Sequence, residues 1–439
     1  MNRFSCGVYQ EDKKDLIFCF PFLSGEAKQL PLGLWKIIQC CYSDFNVFFI
    51  DARFEDPIAS IEECLTKERT IFIGLSVMTG EQILSALTIS KYFHGKVPIV
   101  WGGLHPTIVP EQTISNKNID YIITGEGEKA ALTLARLLKD EGIKEYIGFN
   151  APPYRYNIYK DFAQQRYSPE ISIDERYFIS RDGITRGIGV ETSRSCPYSC
   201  KFCHNSVRPS RSYRQIPADG VINIINSLIQ HYSITGVIFQ EDLFFGGQRV
   251  FPLLDFFIKK YRTFAWKANG RISVFSNLPN NEIRKIADSG CTCLQFGVES
   301  GSDRILKYIN KKHSVKDVLH VNSLLSRFPI PIRYNFIIGF PGESPSEIQE
   351  TLELAARLRD KNKNVESPFV NIYTPYPGTK LYNDAVKFGF SPPTDLLGWA
   401  KIVWNNPSPG LHDHVSSFLR STSVVFAQQS SYYKFMKGK

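Results

Sequence analysis

The sequence predicts an α/β protein: an N-terminal flavodoxin-like, doubly wound (Rossmann-type) domain followed by a partial (β/α)6 barrel of the TIM type. Three observations carry this. Short β-branched and aromatic runs alternate with helical stretches from Asp15 to about Leu138 and again from Thr185 to Tyr373, the rhythm of parallel sheets covered on both faces. A stretch rich in Pro, Tyr and charge, around Asn150-Ala151-Pro152-Pro153-Tyr154, interrupts that rhythm. The 439 residues exceed what one hydrophobic core serves. The expected domains are therefore residues 1–140, a linker over 141–184, a barrel over 185–382 and a short tail over 383–439.

In the first domain Leu16–Phe20, Asn46–Ile50, Thr70–Ser76, Val97–Trp101 and Tyr121–Thr124 read as strands. Ligands of such sheets sit beyond the carboxyl ends of the strands. Those ends carry Ser76-Val77-Met78-Thr79-Gly80, Gly102-Gly103-Leu104-His105-Pro106 and Gly125-Glu126-Gly127-Glu128. In the second domain Arg186–Thr192, Gly236–Gln240, Ala265–Ala268, Thr292–Val298, Arg333–Ile338 and Phe369–Tyr373 read as strands, with helices such as Asp219–His231 and Pro345–Arg359 between them. Six βα units would again gather their chemistry at the carboxyl ends. In the tail, Trp399 and Trp404 either cap the barrel, line a pocket or simply pack.

Composition narrows the class of function. With 43% hydrophobic and 22% charged residues the chain is an ordinary globular one. It has no apolar run of the roughly 18 residues that a membrane span needs, and no apolar N-terminal leader. The expected location is the cytoplasm, with no membrane partner. Residues 1–150 hold 15 basic against 19 acidic side chains, and the remainder 37 against 24. Arg186, Arg194, Arg208, Arg211 and Arg214 are concentrated near one loop, but no long Lys/Arg block is present. The charge thus suits the carboxylates and phosphates of a small-molecule substrate rather than nucleic acid.

That loop is the decisive stretch. Cys196, Cys200 and Cys203 fall within eight residues directly after a strand. A structural zinc or an electron-transfer cluster normally takes four protein ligands. Three thiolates leave one iron of a 4Fe-4S cubane open for a cosubstrate. His204 could complete a Cys3His zinc site, although a neighbour of Cys203 is awkwardly placed to close a tetrahedron. Cys291 and Cys293 share one face of a strand and could donate a hydrogen atom, but buried cysteine as a small apolar residue is commoner. The same applies to Cys6, Cys19, Cys40, Cys41 and Cys64.

The spacing C-x3-C-x2-C with Phe202 before the last cysteine resembles the radical S-adenosylmethionine (SAM) superfamily. So do Gln240-Glu241-Asp242, Gly297-Val-Glu-Ser-Gly-Ser-Asp303, Ile338-Gly-Phe-Pro-Gly-Glu343 and Tyr376-Pro-Gly-Thr379, in that order along the barrel. The resemblance implies that Cys196, Cys200 and Cys203 hold the cluster, and that Phe202, Gln240, Glu241, Asp242, Glu299 and Arg304 contact S-adenosylmethionine. Gly74-Leu-Ser76, Trp101-Gly-Gly-Leu-His-Pro-Thr107, Pro110-Glu111 and Ile119–Glu128 resemble the cobalamin-binding domain of the cobalamin-dependent branch. This implies cobalamin contacts from Ser76, Gly102, Gly103, His105, Gly125, Glu126 and Gly127. The Asp-x-His-x-x-Gly motif of other cobalamin proteins is absent, which leaves the lower face of cobalt open. His105 is a candidate for it. The implied reaction is cleavage of S-adenosylmethionine to a 5'-deoxyadenosyl radical, with methyl transfer from methylcobalamin to an unactivated carbon of a metabolite or natural-product precursor. A flavodoxin or ferredoxin would be the electron donor. A cobalamin-dependent cyclase or rearrangement enzyme, a tRNA methylthiotransferase and a cluster-based sensor are the rival readings.

Overall fold

The structure, a computed structural model, describes the chain apart from residues 1–3, 25–28, 142–170, 208–212, 261–262, 367, 403–407, 422–424, 430–431 and 437–439. It divides into two compact units, with the boundary at Glu175 and Arg176. The segment Pro393–Val403 belongs with the first.

The first unit is a five-stranded sheet of β1 (Asp15–Phe20), β2 (Asn46–Asp51), β3 (Thr70–Ser76), β4 (Ile99–Gly102) and β5 (Tyr121–Ile122), in the order β2-β1-β3-β4-β5. Every pairing is parallel. This is the flavodoxin-like order. Strand β1 lies second in that order, between β2 and β3, so all six of its residues are buried, and its sequence is accordingly a run of apolar residues after Asp15. The start of β4 falls two residues later than the apolar run suggested, because Pro98 has no N–H to give the ladder and contributes only its carbonyl, to Ile73 N.

The second unit is a nine-stranded sheet. Its heart is six parallel strands in chain order: β7 (Ile184–Val190), β10 (Gly236–Phe239), β11 (Ala265–Gly270), β12 (Cys291–Glu299), β13 (Ile332–Ile338) and β14 (Phe369–Ile372). Helices connect them, as in Ala218–Tyr232 and Pro345–Lys361. The second of these begins with a capping box in which Ser344 and Glu347 satisfy each other's backbone N–H groups.

Three features add to the predicted pattern. Most of the expected linker lies outside the described residues, but its end is ordered: β6 (Ile179–Arg181) folds back on β7 through Asp182-Gly183, both at positive φ. A short two-strand clamp, β8 (Ser193–Arg194) with β9 (Arg214–Gln215), closes the base of the cysteine loop. The tail is also more than a tail, since β15 (Val425–Gln429) and β16 (Tyr432–Met436) form a hairpin that joins the sheet antiparallel to β14. Among the described residues no helix is long and apolar enough to cross a membrane.

Candidate active site

The cysteine loop leaves the carboxyl end of β7 through Ser195, a non-glycine residue at φ 66°. Backbone groups then clamp it from two other barrel loops. Lys201 N donates to Ile309 O (2.9 Å), Leu381 N donates to Lys201 O (3.2 Å), and Asn310 Nδ2 donates to Ser199 O (2.9 Å). Cys200 is buried, while Cys196 and Cys203 are partly exposed. Burial pushes the Cys203 thiol up to about 11 and raises that of Cys196, with the charge of Asp242 adding to both. A metal cation that takes the place of the proton, as iron does, offsets this cost.

The Gln240-Glu241-Asp242 triplet divides its labour. The Glu241 carboxylate is turned inward, where Oε1 accepts from Thr192 Oγ1 (2.5 Å) and from Arg249 Nη2 (3.2 Å). Asp242 is exposed and close enough to Cys196 and Cys203 for its charge to act on them. Of the two acids expected to face the cosubstrate, Asp242 is exposed within electrostatic reach of the cysteines, and Glu241 is engaged by Thr192 and Arg249.

Glu299, at φ 75°, ends β12 and accepts from Lys311 Nζ at 2.5 Å in a buried ion pair. Gly297 leaves room for that pair: a Cβ there would sit 2.3 Å from Glu299 Oε1 and 3.0 Å from Lys311 Nζ. Lys311 Nζ also lies 5.8 Å from the centroid of the Phe202 ring, whose centroid is 5.7 Å from that of Phe340. Arg304, by contrast, makes a bidentate pair with Glu347 (2.6 Å each) and reaches Gly342 O. It anchors the helix Pro345–Lys361 rather than facing a ligand. The arginine crowd also disperses. Arg186 stacks on Phe178 and donates to Tyr232 O, Arg194 pairs with Glu191, and Arg208 and Arg211 lie outside the described residues, as does Trp404.

Sequence reading missed two residues. Arg271, just after β11, is 7% exposed, donates through Nη1 to Cys200 Sγ (3.7 Å), and stacks on Tyr198 at 3.6 Å. Glu343 accepts from Gly339 N (2.5 Å) and Phe340 N (3.1 Å), holding the turn that carries Phe340. Burial pushes its carboxyl up to about 8. Position 271 follows the third strand directly, which was the only available signal for Arg271. Glu343 stood at the end of a quoted motif without a role.

In the first unit, the ends of β3 and β4 are stitched together. Val77 N donates to Gly102 O, His105 N donates to Val77 O, and Thr107 Oγ1 donates to Gly103 O while accepting from Gly125 N. A Cβ on Gly102 would meet nothing nearer than Ile123 at 3.9 Å, so the strand end stays open to a ligand's close approach. Glu126 is exposed beside it. His105 lies in the short helix Leu104–Ile108 that follows β4. It is fully buried, its Nδ1 faces Thr79 Oγ1 (3.0 Å), and its ring lies 6.1 Å from that of Trp399. Trp399 is in turn fixed by Gln112 Oε1 (2.7 Å), which docks the segment that begins at Pro393. Burial lowers His105 to about 4, so it is neutral at neutral pH, and its Nε2 has no partner among the described residues.

Comparison with known families fits this geometry. Residues 190–355 match the model of the Radical SAM superfamily, and residues 24–135 match that of the B12 binding domain. The chain carries a radical SAM domain and a B12 binding domain. This radical SAM protein is 28% identical over 421 residues to an uncharacterized methyltransferase of Pyrococcus horikoshii, covering 90% of this chain and 87% of the relative. It is 23% identical over 358 residues to the anaerobic magnesium-protoporphyrin IX monomethyl ester cyclase of Rubrivivax gelatinosus, covering 77% and 63%. Its fold matches that of the radical S-adenosylmethionine methyltransferase TsrM from Kitasatospora setae, solved with tryptophan substrate and a SAM analog, at a TM-score of 0.72 and 14% identity. That match covers 93% and 89% of the two chains.

It is an enzyme whose cofactors are a 4Fe-4S cluster, S-adenosylmethionine and cobalamin. The residues fit them. Among the described residues no three His, Cys, Asp or Glu side chains converge as a single ion requires. A cubane makes no such demand, since each thiolate takes its own iron. The buried cation of Arg271 against Cys200 suits an anionic cluster, and the open strand end at Gly102 suits a cofactor laid across the sheet.

Proposed function

We propose that this radical SAM protein transfers a methyl group from methylcobalamin to an unactivated carbon of a small metabolite or natural-product precursor. One observation carries the reading: the B12-binding and radical SAM domains occur together in a chain related over nine-tenths of its length to a protein named as a methyltransferase. When bound, the cluster supplies the electron that splits S-adenosylmethionine into methionine and a 5'-deoxyadenosyl radical, and cobalamin supplies the methyl group.

The chain's own residues position and shield. Cys196, Cys200 and Cys203 hold three irons. Asp242 accepts from the ammonium group of S-adenosylmethionine, and Phe202, with Phe340 beside it, offers an apolar face to adenine. Glu299, steadied by Lys311, offers acceptors to the ribose hydroxyls. Ser76, Gly102, Gly103, Gly125, Glu126 and Gly127 carry the cobalamin. His105 orients its loop through Thr79 instead of reaching cobalt. A flavodoxin or ferredoxin of the cytoplasm supplies the electron.

The relationship to a cyclase keeps one second reading in play, a radical ring closure with the same cofactors. One experiment separates the two without knowledge of the substrate. The protein is purified anaerobically, its cluster and hydroxocobalamin are restored, and it is reduced in the presence of S-adenosylmethionine. A methylase re-methylates its cobalamin from a S-adenosylmethionine molecule and accumulates S-adenosylhomocysteine. A loaded protein that forms 5'-deoxyadenosine and no S-adenosylhomocysteine is a cyclase or rearrangement enzyme.

A further inference from the structure

Arg271 is a buried guanidinium with no carboxylate partner among the described residues. Its Nη2 donates to Lys311 O, its Nε to Ser273 Oγ (3.0 Å), and its plane rests on Tyr198 at 3.6 Å. The remaining donor, Nη1, is aimed at Cys200 Sγ (3.7 Å). A buried, unpaired cation is costly unless an anion completes it. The other buried cations around the loop are already matched: Lys311 by Glu299 at 2.5 Å and Arg249 by Glu241 at 3.2 Å.

Three thiolates on a 4Fe-4S core leave it net negative, and one further electron makes it more so. Hydrogen bonds and positive charge at the sulfurs favour that reduced state, whereas burial disfavours it. We propose that Arg271 is a positioning residue that raises the reduction potential of the cluster, donating to the Cys200 sulfur and balancing the charge of the added electron. The step is a one-electron transfer from a low-potential donor to the cluster, with no proton and no bond made or broken. Tyr198 and Lys311 O hold the guanidinium in the one orientation that keeps its donor on the sulfur.

The test uses the full chain with its cluster restored anaerobically and without S-adenosylmethionine. The midpoint potential is read by EPR during titration with dithionite and mediators, alongside iron and sulfide content. Arg271→Gln is expected to titrate at a lower potential than the parent with the same iron content. Arg271→Lys, which keeps the charge and loses the fork, falls between them, and Tyr198→Leu, which frees the guanidinium, moves in the same direction. A fully loaded Arg271→Gln protein at the parent potential overturns the proposal. So does a variant whose potential is unchanged while its affinity for S-adenosylmethionine falls, which would make Arg271 a carboxylate ligand. None of these readings depends on the substrate or on methyl transfer, so the proposal stands or falls apart from the proposed function.

Discussion

The two ends of the barrel carry similar charges in opposite states of completion. At the amino end of the strands, Asp182 accepts from Lys267 (2.8 Å) and from Arg333 (2.6 Å), and Arg333 turns its Nε to Glu366 (2.5 Å). Three cations meet two carboxylates, since Arg181 Nε also lies 3.9 Å from Asp182. Burial works against the Asp182 carboxylate, but hydrogen bonds from Arg333 and Lys267 outweigh it and hold the group well below the ordinary range. At the carboxyl end, among the described residues, Arg271 has no acid, and Glu241 Oε2 and Glu343 Oε1 are buried without a hydrogen-bond partner. The same strands supply both ends. The difference teaches where ligands belong: a closed network stabilises, while buried groups left incomplete mark the place that a cofactor finishes.

The strongest break of this contrast is at the open end. Replacing Cys196, Cys200 or Cys203 with Ala removes a ligand that no neighbour can replace, so iron content and S-adenosylmethionine cleavage should fall together to background. Global stability should change little, and cleavage surviving in any of the three would sink the assignment. At the closed end the pattern reverses. Asp182→Ala strands Lys267 and leaves Arg333 only Glu366, and should cost about 2–4 kcal/mol in denaturant unfolding with the cluster spectrum unchanged. Because the native pKa of Asp182 is depressed, its contribution is in place above the ordinary carboxylate range and is lost as pH falls below it. The parent should therefore lose its advantage over the variant in acid. An unaltered midpoint for Asp182→Ala would show that the charge cluster around Asp182 is not a stabilising network.

A smaller effect sharpens the contrast within one triplet. Asp242→Asn should weaken S-adenosylmethionine binding about tenfold, the lower end of what a charged hydrogen bond supplies, since the group is exposed. Glu241→Gln, two bonds deep in the wall, should instead reduce stability by loosening Arg249 and Thr192. Equal losses of binding in both variants would erase the division drawn between them.

What the sequence made legible follows from what repeats locally. The strand rhythm, the sheet order implied by alternating βα units and the tight cysteine spacing are all carried by near neighbours. The direction in which a side chain turns is not. Nothing in Gln240-Glu241-Asp242 says that Arg249, eight positions on, will claim the middle residue, nor that Glu347 will claim Arg304 from 43 positions away. His105 looked like a loop residue open to a ligand. Its burial comes from Trp399, brought back by a segment almost 300 residues later. Arg271 stood alone in the sequence and gains its meaning only from the cysteine 71 positions before it.

Glu343 tests the same contrast through its state of protonation, because its incompleteness is a matter of a proton. Its carboxyl accepts from Gly339 N and Phe340 N with one oxygen, while the other is buried without a partner among the described residues. Burial, ahead of the repulsion from Glu347, lifts its pKa to about 8 from an ordinary 4.5. The folded state therefore holds a proton that the unfolded chain releases near pH 4.5. Its contribution is whole below that value and is lost as pH rises through 8. Glu343→Gln keeps the acceptor and removes the titration, so the variant should gain on the parent in thermal stability between pH 5.5 and 8.5. Parallel curves across that range would mean that the carboxylate is ionised in the fold, and that the turn bearing Phe340 is held by a charge rather than by a neutral acid.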